Sequence, residues 1–342
     1  MVLGLGGTIA MAAVGDGGGA VPELSPAQLL AAVPGLAATG IEVRAEELRR
    51  LPGASIRLPD LYQLAGVIRE RLAGGAERVD GVVVSQGTDT IEESSYLLDL
   101  LYGDPAPVVV TGAMRNPSLA GADGPANLLA AIQVAACSEA RDQGVLVVFN
   151  DEIHAARRVR KTHAINPATF GSPDGGPLGF LVEGRPRLVS RLPGRTVVPA
   201  PVAGAGERVR VALVTLTLGD DGCLLDGLAD HADGLVVAAF GAGHVPEWLV
   251  EPLARLADLI PVVLASRTGA GPVLAGTYGF PGSERDLLSR GLVRAGFLGP
   301  PKARILLHAL LAAGADRATI ATAFGAAGGI APAGSWPWPP PS

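Results

Sequence analysis

The stretch DGVVVSQGTDTIEESSYLLDLL, residues 80–101, decides how this chain folds. Val82, Val83 and Val84 form an apolar run without polar alternation, as expected of a strand covered on both faces. Gly87 turns the chain, and a helix begins near Thr90, where Thr90 and Glu93 fit a capping box. Strand, glycine turn and helix follow one another within about twenty residues.

The same order recurs along the sequence. Strand-like runs lie at Val2–Leu5, Gly81–Ser85, Val108–Thr111, Val145–Phe149, Val211–Leu218, Gly234–Phe240 and Pro261–Ala265. Helical stretches lie at Pro59–Leu72, Thr90–Leu101, Gly124–Ala140, Pro246–Leu259 and Pro301–Ala313. Alternating β and α units predict an α/β fold with mainly parallel sheets. Residues 183–210 are rich in Pro, Gly and Arg and have no long period, so a domain break is expected there. The expected organisation is a larger N-terminal domain over 1–190 and a linker over 191–210. A smaller C-terminal domain follows over 211–328, and a loose Pro-rich tail over 329–342.

Composition narrows the function. The chain has 342 residues, enough for two domains at roughly 100–200 residues each. With 48% hydrophobic and 18% charged residues, it is a core-forming protein rather than a disordered one. A net charge of −6 without basic clusters argues against nucleic-acid binding. The basic run Arg157-Arg158-Val159-Arg160-Lys161 reads for the most part as a solvated strand or loop. Two cysteines make no disulfide framework, and five histidines show no metal-binding spacing. No apolar run has the length of a membrane span. The opening MVLGLGGTIAMAAVG lacks a basic segment and reads as a strand and loop rather than a signal peptide, which makes the cytoplasm the default compartment.

Four segments could carry chemistry. GLGGTIA, residues 4–10, sets a threonine at a strand end, where α/β sheets bind ligands. A dinucleotide loop is a poor match, because Gly4 and Gly6 fit the pattern but its third glycine is Ile9, and no Walker lysine follows. In the second segment, helix capping accounts for one of Thr88, Asp89 and Thr90, not for all three. A helix N-terminus also offers free N–H groups to a carboxylate or a developing oxyanion. VVVTGAMRNPSLAGADGPANLLAA, residues 108–131, reads as a structural loop in which Asp123 caps a helix carrying Pro125 in its first turn. In the fourth, Lys161 acts chemically only if buried or held among charges.

Taken together, GGTIA (6–10), GTDTIEESSYLLDL (87–100), TGAMR (111–115), DGPANL (123–128), NDEIHAARRVRKTHAINPATFGSPDGGPLG (150–179) and PPKARILL (300–307) resemble the bacterial-type L-asparaginase family, in order as well as in wording. The resemblance implies hydrolysis of L-asparagine to L-aspartate and ammonia through a threonine acyl-enzyme, with no metal or cofactor. Thr8 would be the nucleophile. Thr88, Asp89 and Lys161 would form a second cluster, with Asp89 also holding the substrate's α-amino group. Gly87 and the backbone at Thr88 and Ala113 would lie against the substrate. The family's substrate-binding serine falls near Gly53, with Ser55 the candidate side chain.

The resemblance also implies a homotetramer with sites at intimate dimer interfaces. His244 in AAFGAGHVPEW and a carboxylate near Glu284 would then reach a neighbouring subunit's site. The plainer readings are a loop or capping histidine and a surface glutamate. A dual glutaminase–asparaginase and a non-catalytic amide-binding relative are the alternatives. Three departures stand out. Gly53 stands at the register position of the family's substrate-binding serine. Gln86 occupies the family's histidine position before GTDT, and residues 12–22, the stretch of the family's mobile lid, contain no tyrosine. With glycines at 15 and 17–19, that lid is expected to be mobile when empty.

Overall fold

The computed structural model describes residues 1–13, 20–22, 24–74, 78–202 and 204–339. The chain divides into two compact units, Met1–Arg195 and the chain from Thr196 onward. Each has its own sheet.

The first unit is built on β1 (Val2–Gly6), β4 (Ala45–Leu51), β5 (Val82–Ser85), β6 (Val108–Thr111) and β7 (Val145–Phe149), all paired in parallel. β8 (Glu152–Ala155), β11 (Gly179–Val182) and β12 (Arg185–Leu188) extend the sheet antiparallel, giving the order β12-β11-β8-β7-β6-β5-β1-β4. The direction reverses after β7 at Asn150-Asp151, where φ is 51° and 61°. Two left-handed residues make the tight turn whose twist matches paired strands. Glu183-Gly184, with φ of 50° and 70°, does the same between β11 and β12.

Alternate residues of the strands feed opposite faces. Val2, Val83, Val109, Leu146 and Val148 share one core with Leu29 of α1 (Pro26–Ala31) and with Leu128, Ala131, Ile132 and Val134 of α4 (Gly124–Ala135). α2 (Leu58–Ala73) and α3 (Ile91–Leu101) pack against each other elsewhere, burying Leu61, Leu64, Ile68 and Leu97. Each fully buried side chain of this size is worth about 1.5–3 kcal/mol. Two small antiparallel ribbons stand outside the main sheet: β2 (Met11–Ala13) with β3 (Ala20–Pro22), and β9 (Arg160–Lys161) with β10 (Phe170–Gly171). The first flanks the stretch expected to form a lid, whose residues 14–19 lie outside the described residues.

The second unit carries the parallel sheet β13 (Val211–Thr215), β14 (Gly234–Ala239), β15 (Val262–Ser266) and β16 (Val293–Arg294), in that order. Its helices are α5 (Ala205–Arg208), α6 (Val250–Leu259), α7 (Glu284–Ser289), α8 (Pro300–Ala312) and α9 (Arg317–Ala327). Leu253 and Leu256 of α6 join Leu235, Val237 and Leu264 of the sheet in one core. No helix among the described residues is long and apolar enough to cross a membrane.

The α/β class with two sheets, larger and mixed, then smaller and parallel, is the one the sequence predicts. Several details differ from expectation. The strand expected over 211–218 ends at Thr215, and the helix expected over 124–140 ends at Ala135. The stretch from 183 contains β12, because its Pro and Arg residues suit a sheet edge. The basic run is not a solvated strand: Val159 is buried, and Arg157 donates to Gly194 O at 2.9 Å, its Nε 3.9 Å from Asp99 Oδ2. Through residue 339 the tail is not loose either. Trp336 is buried, its indole N–H donates to Val197 O at 2.9 Å, and the Trp338 ring lies tilted against it at 5.4 Å.

Two measurements follow from this packing. Trp336→Ala should cost about 3 kcal/mol, visible as a melting temperature lowered by several degrees; an unchanged melting curve would show the tail undocked. His154 and His308 are buried, and burial pushes both imidazoles down to about 4 from 6.5. Both are neutral in the folded chain, so the unfolded chain takes up their protons first as pH falls. Stability contributed by them is full above pH 6.5 and declines until the folded pKa near 4. Denaturant midpoints between pH 4 and 7 should fall toward acid, and fall less steeply in His308→Gln.

Candidate active site

In the first unit the parallel strands run β4-β1-β5-β6-β7. The chain leaves β1 for β4 on one side, and later elements continue from β5 on the other. The crevice of such a sheet opens at this switch, at the carboxyl ends of β1 and β5. Thr8 follows β1, and Thr88 and Asp89 follow β5.

Glycines bring these turns together. Gly7 sits at φ 86°, ψ −175°, and a Cβ there would fall 2.1 Å from Gly87 N. A Cβ on Gly87 would in turn fall 2.6 Å from Gly53 Cα and N. The turns after β1, β4 and β5 therefore meet backbone to backbone. The Thr90 hydroxyl donates to Gly53 O at 3.0 Å, tying the second contact down. This hydrogen bond replaces the expected capping box, for Thr90 makes no side-chain cap. Gly112, after β6, completes the floor: a Cβ there would strike Gln86 O at 2.5 Å and Thr88 Cγ2 at 3.3 Å.

Thr8 opens a 3-10 turn, Thr8–Ala10, and is partly exposed. Thr88 opens another, Thr88–Thr90, which runs directly into α3, and it is buried. Lys161 arrives from β9. Its Nζ donates to Thr88 Oγ1 at 2.9 Å and to Asp89 Oδ1 at 3.2 Å. Its side chain is 18% exposed while that of Asp89 is 57% exposed, so the ammonium is covered and the carboxylate remains open to a ligand. The Lys161 backbone N–H donates to Glu92 Oε2 at 2.7 Å.

Gln86 is fully buried, accepts from Ser94 Oγ at 2.8 Å and donates to Gly87 O at 3.3 Å. A neutral amide that both accepts and donates fits this place without titrating. Ala113 is buried against Gly124. Asp123 precedes α4 but its side chain does not cap it. Its carboxylate instead accepts from Met114 N at 3.0 Å and Arg115 N at 2.9 Å. Asn127 donates to Gly112 O at 3.1 Å and accepts from Asn150 N at 2.9 Å. Asp123 and Asn127 thus hold the loop after β6.

The structure brings Gly53, Gly87, Thr88, Asp89 and Lys161 together, with the Thr8 turn joined through Gly7. Ser55 is exposed, two residues beyond the contact. His244 and Glu284 belong to the second unit and lie beside one another. Glu284 is not a surface residue: it is fully buried, and its Oε1 accepts from Thr277 N and Tyr278 N, both at 2.9 Å. His244 Nε2 lies 3.3 Å from Glu284 Oε2, in ion-pair range though misaligned for a hydrogen bond. Burial alone would raise the Glu284 pKa; the backbone N–H groups and His244 outweigh it and hold the carboxyl below its usual range. Tyr278 and Phe280 present their rings to His244 at 4.8 and 5.1 Å.

Glu92, Asp123 and Asn127 are the polar residues whose place in the site the sequence reading missed. The signal for the last two was DGPAN following TGAMR so closely, which put a carboxylate and an amide within reach of a glycine turn.

Gly7 offers a direct test. Its backbone conformation is one only glycine adopts readily, at a cost of about 1–3 kcal/mol to other residues before any collision. Gly7→Ala should lower the denaturant midpoint and displace the turns bearing Thr8 and Thr88. Native stability in that variant would show that the turns do not meet as described.

Comparison with known proteins identifies the family. Residues 1–193 match the model of the asparaginase N-terminal domain, and residues 210–324 that of the glutaminase/asparaginase C-terminal domain. A probable L-asparaginase of Deinococcus radiodurans is 40% identical over 93% of this chain and 94% of its own. A glutaminase-asparaginase of Pseudomonas aeruginosa is 32% identical over 90% of this chain and 84% of its own. The crystal structure of a probable cytoplasmic L-asparaginase from Campylobacter jejuni superposes with a TM-score of 0.81 at 32% identity, covering 94% of this chain and 98% of that one. Both halves of the chain match in order, and the chain belongs to the bacterial-type asparaginase family.

Proposed function

We propose that this protein is an L-asparaginase, an amidohydrolase that converts L-asparagine to L-aspartate and ammonia. The observation that carries the reading is the Lys161–Thr88–Asp89 cluster at the sheet's switch point, joined through Gly7 and Gly87 to the turn bearing Thr8.

In this reading the Thr8 hydroxyl attacks the side-chain amide carbon. The C–N bond breaks, the nitrogen leaves as ammonia with the proton Thr8 gives up, and an acyl ester remains on Thr8. Water then cleaves the ester, returning the hydroxyl and releasing aspartate. A threonine hydroxyl is a weak nucleophile and needs polar assistance. As an ammonium, Lys161 donates to Thr88 Oγ1 and leaves the Thr88 hydroxyl hydrogen free to turn toward the substrate. The open carboxylate of Asp89 suits the substrate's α-ammonium. Backbone around Thr88 and Ala113, with Gly87, Gly53 and Ser55, lines the amide and carboxylate ends.

The assembly belongs to the same proposal. A homotetramer built of intimate dimers would bring His244 and Glu284 of one subunit to the site of its neighbour. A cytoplasmic location is proposed by likeness to the Campylobacter jejuni protein; a relative in Haemophilus influenzae bears the name of a periplasmic enzyme.

Ammonia release from L-asparagine and L-glutamine, measured side by side, tests the function. Release from asparagine is expected, and its ratio to glutamine separates the asparaginase from a dual enzyme. Thr8→Ala should lose turnover by several orders of magnitude with an unchanged fold, while Thr8→Ser should keep part of it. Near-normal release from Thr8→Ala would rule out the threonine acyl-enzyme.

A further inference from the structure

Lys161 reaches Thr88 from a part of the chain that the main sheet does not hold. β9 and β10 form a two-residue ribbon, with Lys161 opposite Phe170. Across it, Thr162 N–H donates to Thr169 O at 2.7 Å. Successive N–H groups on an antiparallel strand point to opposite sides. The Lys161 N–H therefore points away from the ribbon, as an edge donor. Glu92 accepts it at 2.7 Å, the short distance expected of a charge-assisted bond.

Glu92 stands in the first turn of α3, directly after Thr88-Asp89-Thr90. A carboxylate there is favoured by the helix's positive end. One helix N-terminus thus grips Lys161 at both ends: Glu92 holds its backbone, while Thr88 and Asp89 hold its ammonium. A lysine side chain carries about 2 kcal/mol of rotamer entropy. With its root fixed to the same turn as its target, that chain has only the span between two fixed ends to cover.

We propose that Glu92 is a positioning residue for the hydrolytic reaction, setting the register of Lys161 against Thr88. The proposal rests on the asparaginase reading above. It predicts that Glu92 acts on turnover through Lys161, and not on substrate affinity or on folding at large. Misplacing a reacting group by about 1 Å can cost roughly a hundredfold in rate. A loss of kcat of roughly 10- to 100-fold is therefore expected for Glu92→Ala, with KM changed little.

The test is steady-state ammonia release from L-asparagine by the full chain and by Glu92→Ala, Glu92→Gln, Lys161→Met and the Glu92→Ala/Lys161→Met pair, with melting curves in parallel. Glu92→Gln keeps an acceptor oxygen and should recover most of kcat. In the Lys161→Met background, Glu92→Ala should remove little more, because the residue it positions is gone. The proposal is overturned if Glu92→Ala keeps the unmodified kcat, if it costs the same factor with and without Lys161, or if Glu92→Gln is as slow as Lys161→Met. Should Glu92→Ala not fold, Glu92→Ser, which also cannot reach the Lys161 N–H, takes its place in both backgrounds with the same outcomes deciding. A folded, unmodified chain that releases no ammonia would sink the asparaginase reading and this proposal together. An active chain indifferent to Glu92 would sink the proposal only.

Discussion

The site depends on a contact between glycine backbones. Gly7 lies against Gly87, and Gly87 against Gly53, at separations where any Cβ would overlap the neighbouring main chain. Three turns from three adjacent parallel strands could not otherwise converge, since strands in a sheet stand about 4.8 Å apart and side chains would hold their ends further from one another. The register of β1 bends to allow it. Its pairing with β4 shifts between Gly4 and Gly6, and Gly6 at φ 96° fits where a Cβ would strike Leu51. Thr8 and Thr88 follow immediately after Gly7 and Gly87, so the separation of their main-chain positions is inherited from backbone packing rather than from flexible side chains.

Polar side chains hold that arrangement from behind. Gln86 and Ser94 brace the β5 turn from its buried side, and Thr90 fastens it to Gly53. Asp123 and Asn127 gather the loop after β6 by its N–H groups and a carbonyl. These bonds go mostly to the main chain, so each fixes a position more than a charge. Lys161 is the exception: its ammonium is brought in over a long sequence separation by a ribbon anchored at its base.

Much of this was legible in the sequence for a physical reason. Buried parallel strands such as Val82–Ser85 and Val145–Phe149 must be apolar on both faces, and that leaves a plain mark. The short turns between strand and helix keep the candidate site residues close to those marks, so Thr88 and Asp89 could be picked out beside β5. Elements at the margins escaped. β4, AEELRRL, is an edge strand whose exposed charges have no apolar alternation to betray it. Asn150-Asp151 reads as polar residues after a strand, yet two left-handed residues there make the hairpin that reverses the sheet. Asp123 has the right place for a cap, and only its three-dimensional surroundings reveal that its carboxylate serves the preceding loop instead. Glu92 stands in a helix first turn, where an acidic residue is expected anyway, and its partner Lys161 is 69 positions away.

The margins of the larger sheet have a further effect. An unpaired strand edge is a template on which another chain can add a strand, and a sheet of this size has two such edges. Among the described residues they are β12 and β4. β12 reads Arg185-Pro186-Arg187-Leu188, so one position has no N–H to offer and its neighbours carry like charges. β4 carries Glu46, Glu47, Arg49 and Arg50 over its short length. A second copy docking edge to edge would meet a missing donor between two like charges on one side and a mixed row of charges on the other. The features that leave these margins weakly marked in the sequence are the ones that disfavour sheet growth by edge pairing.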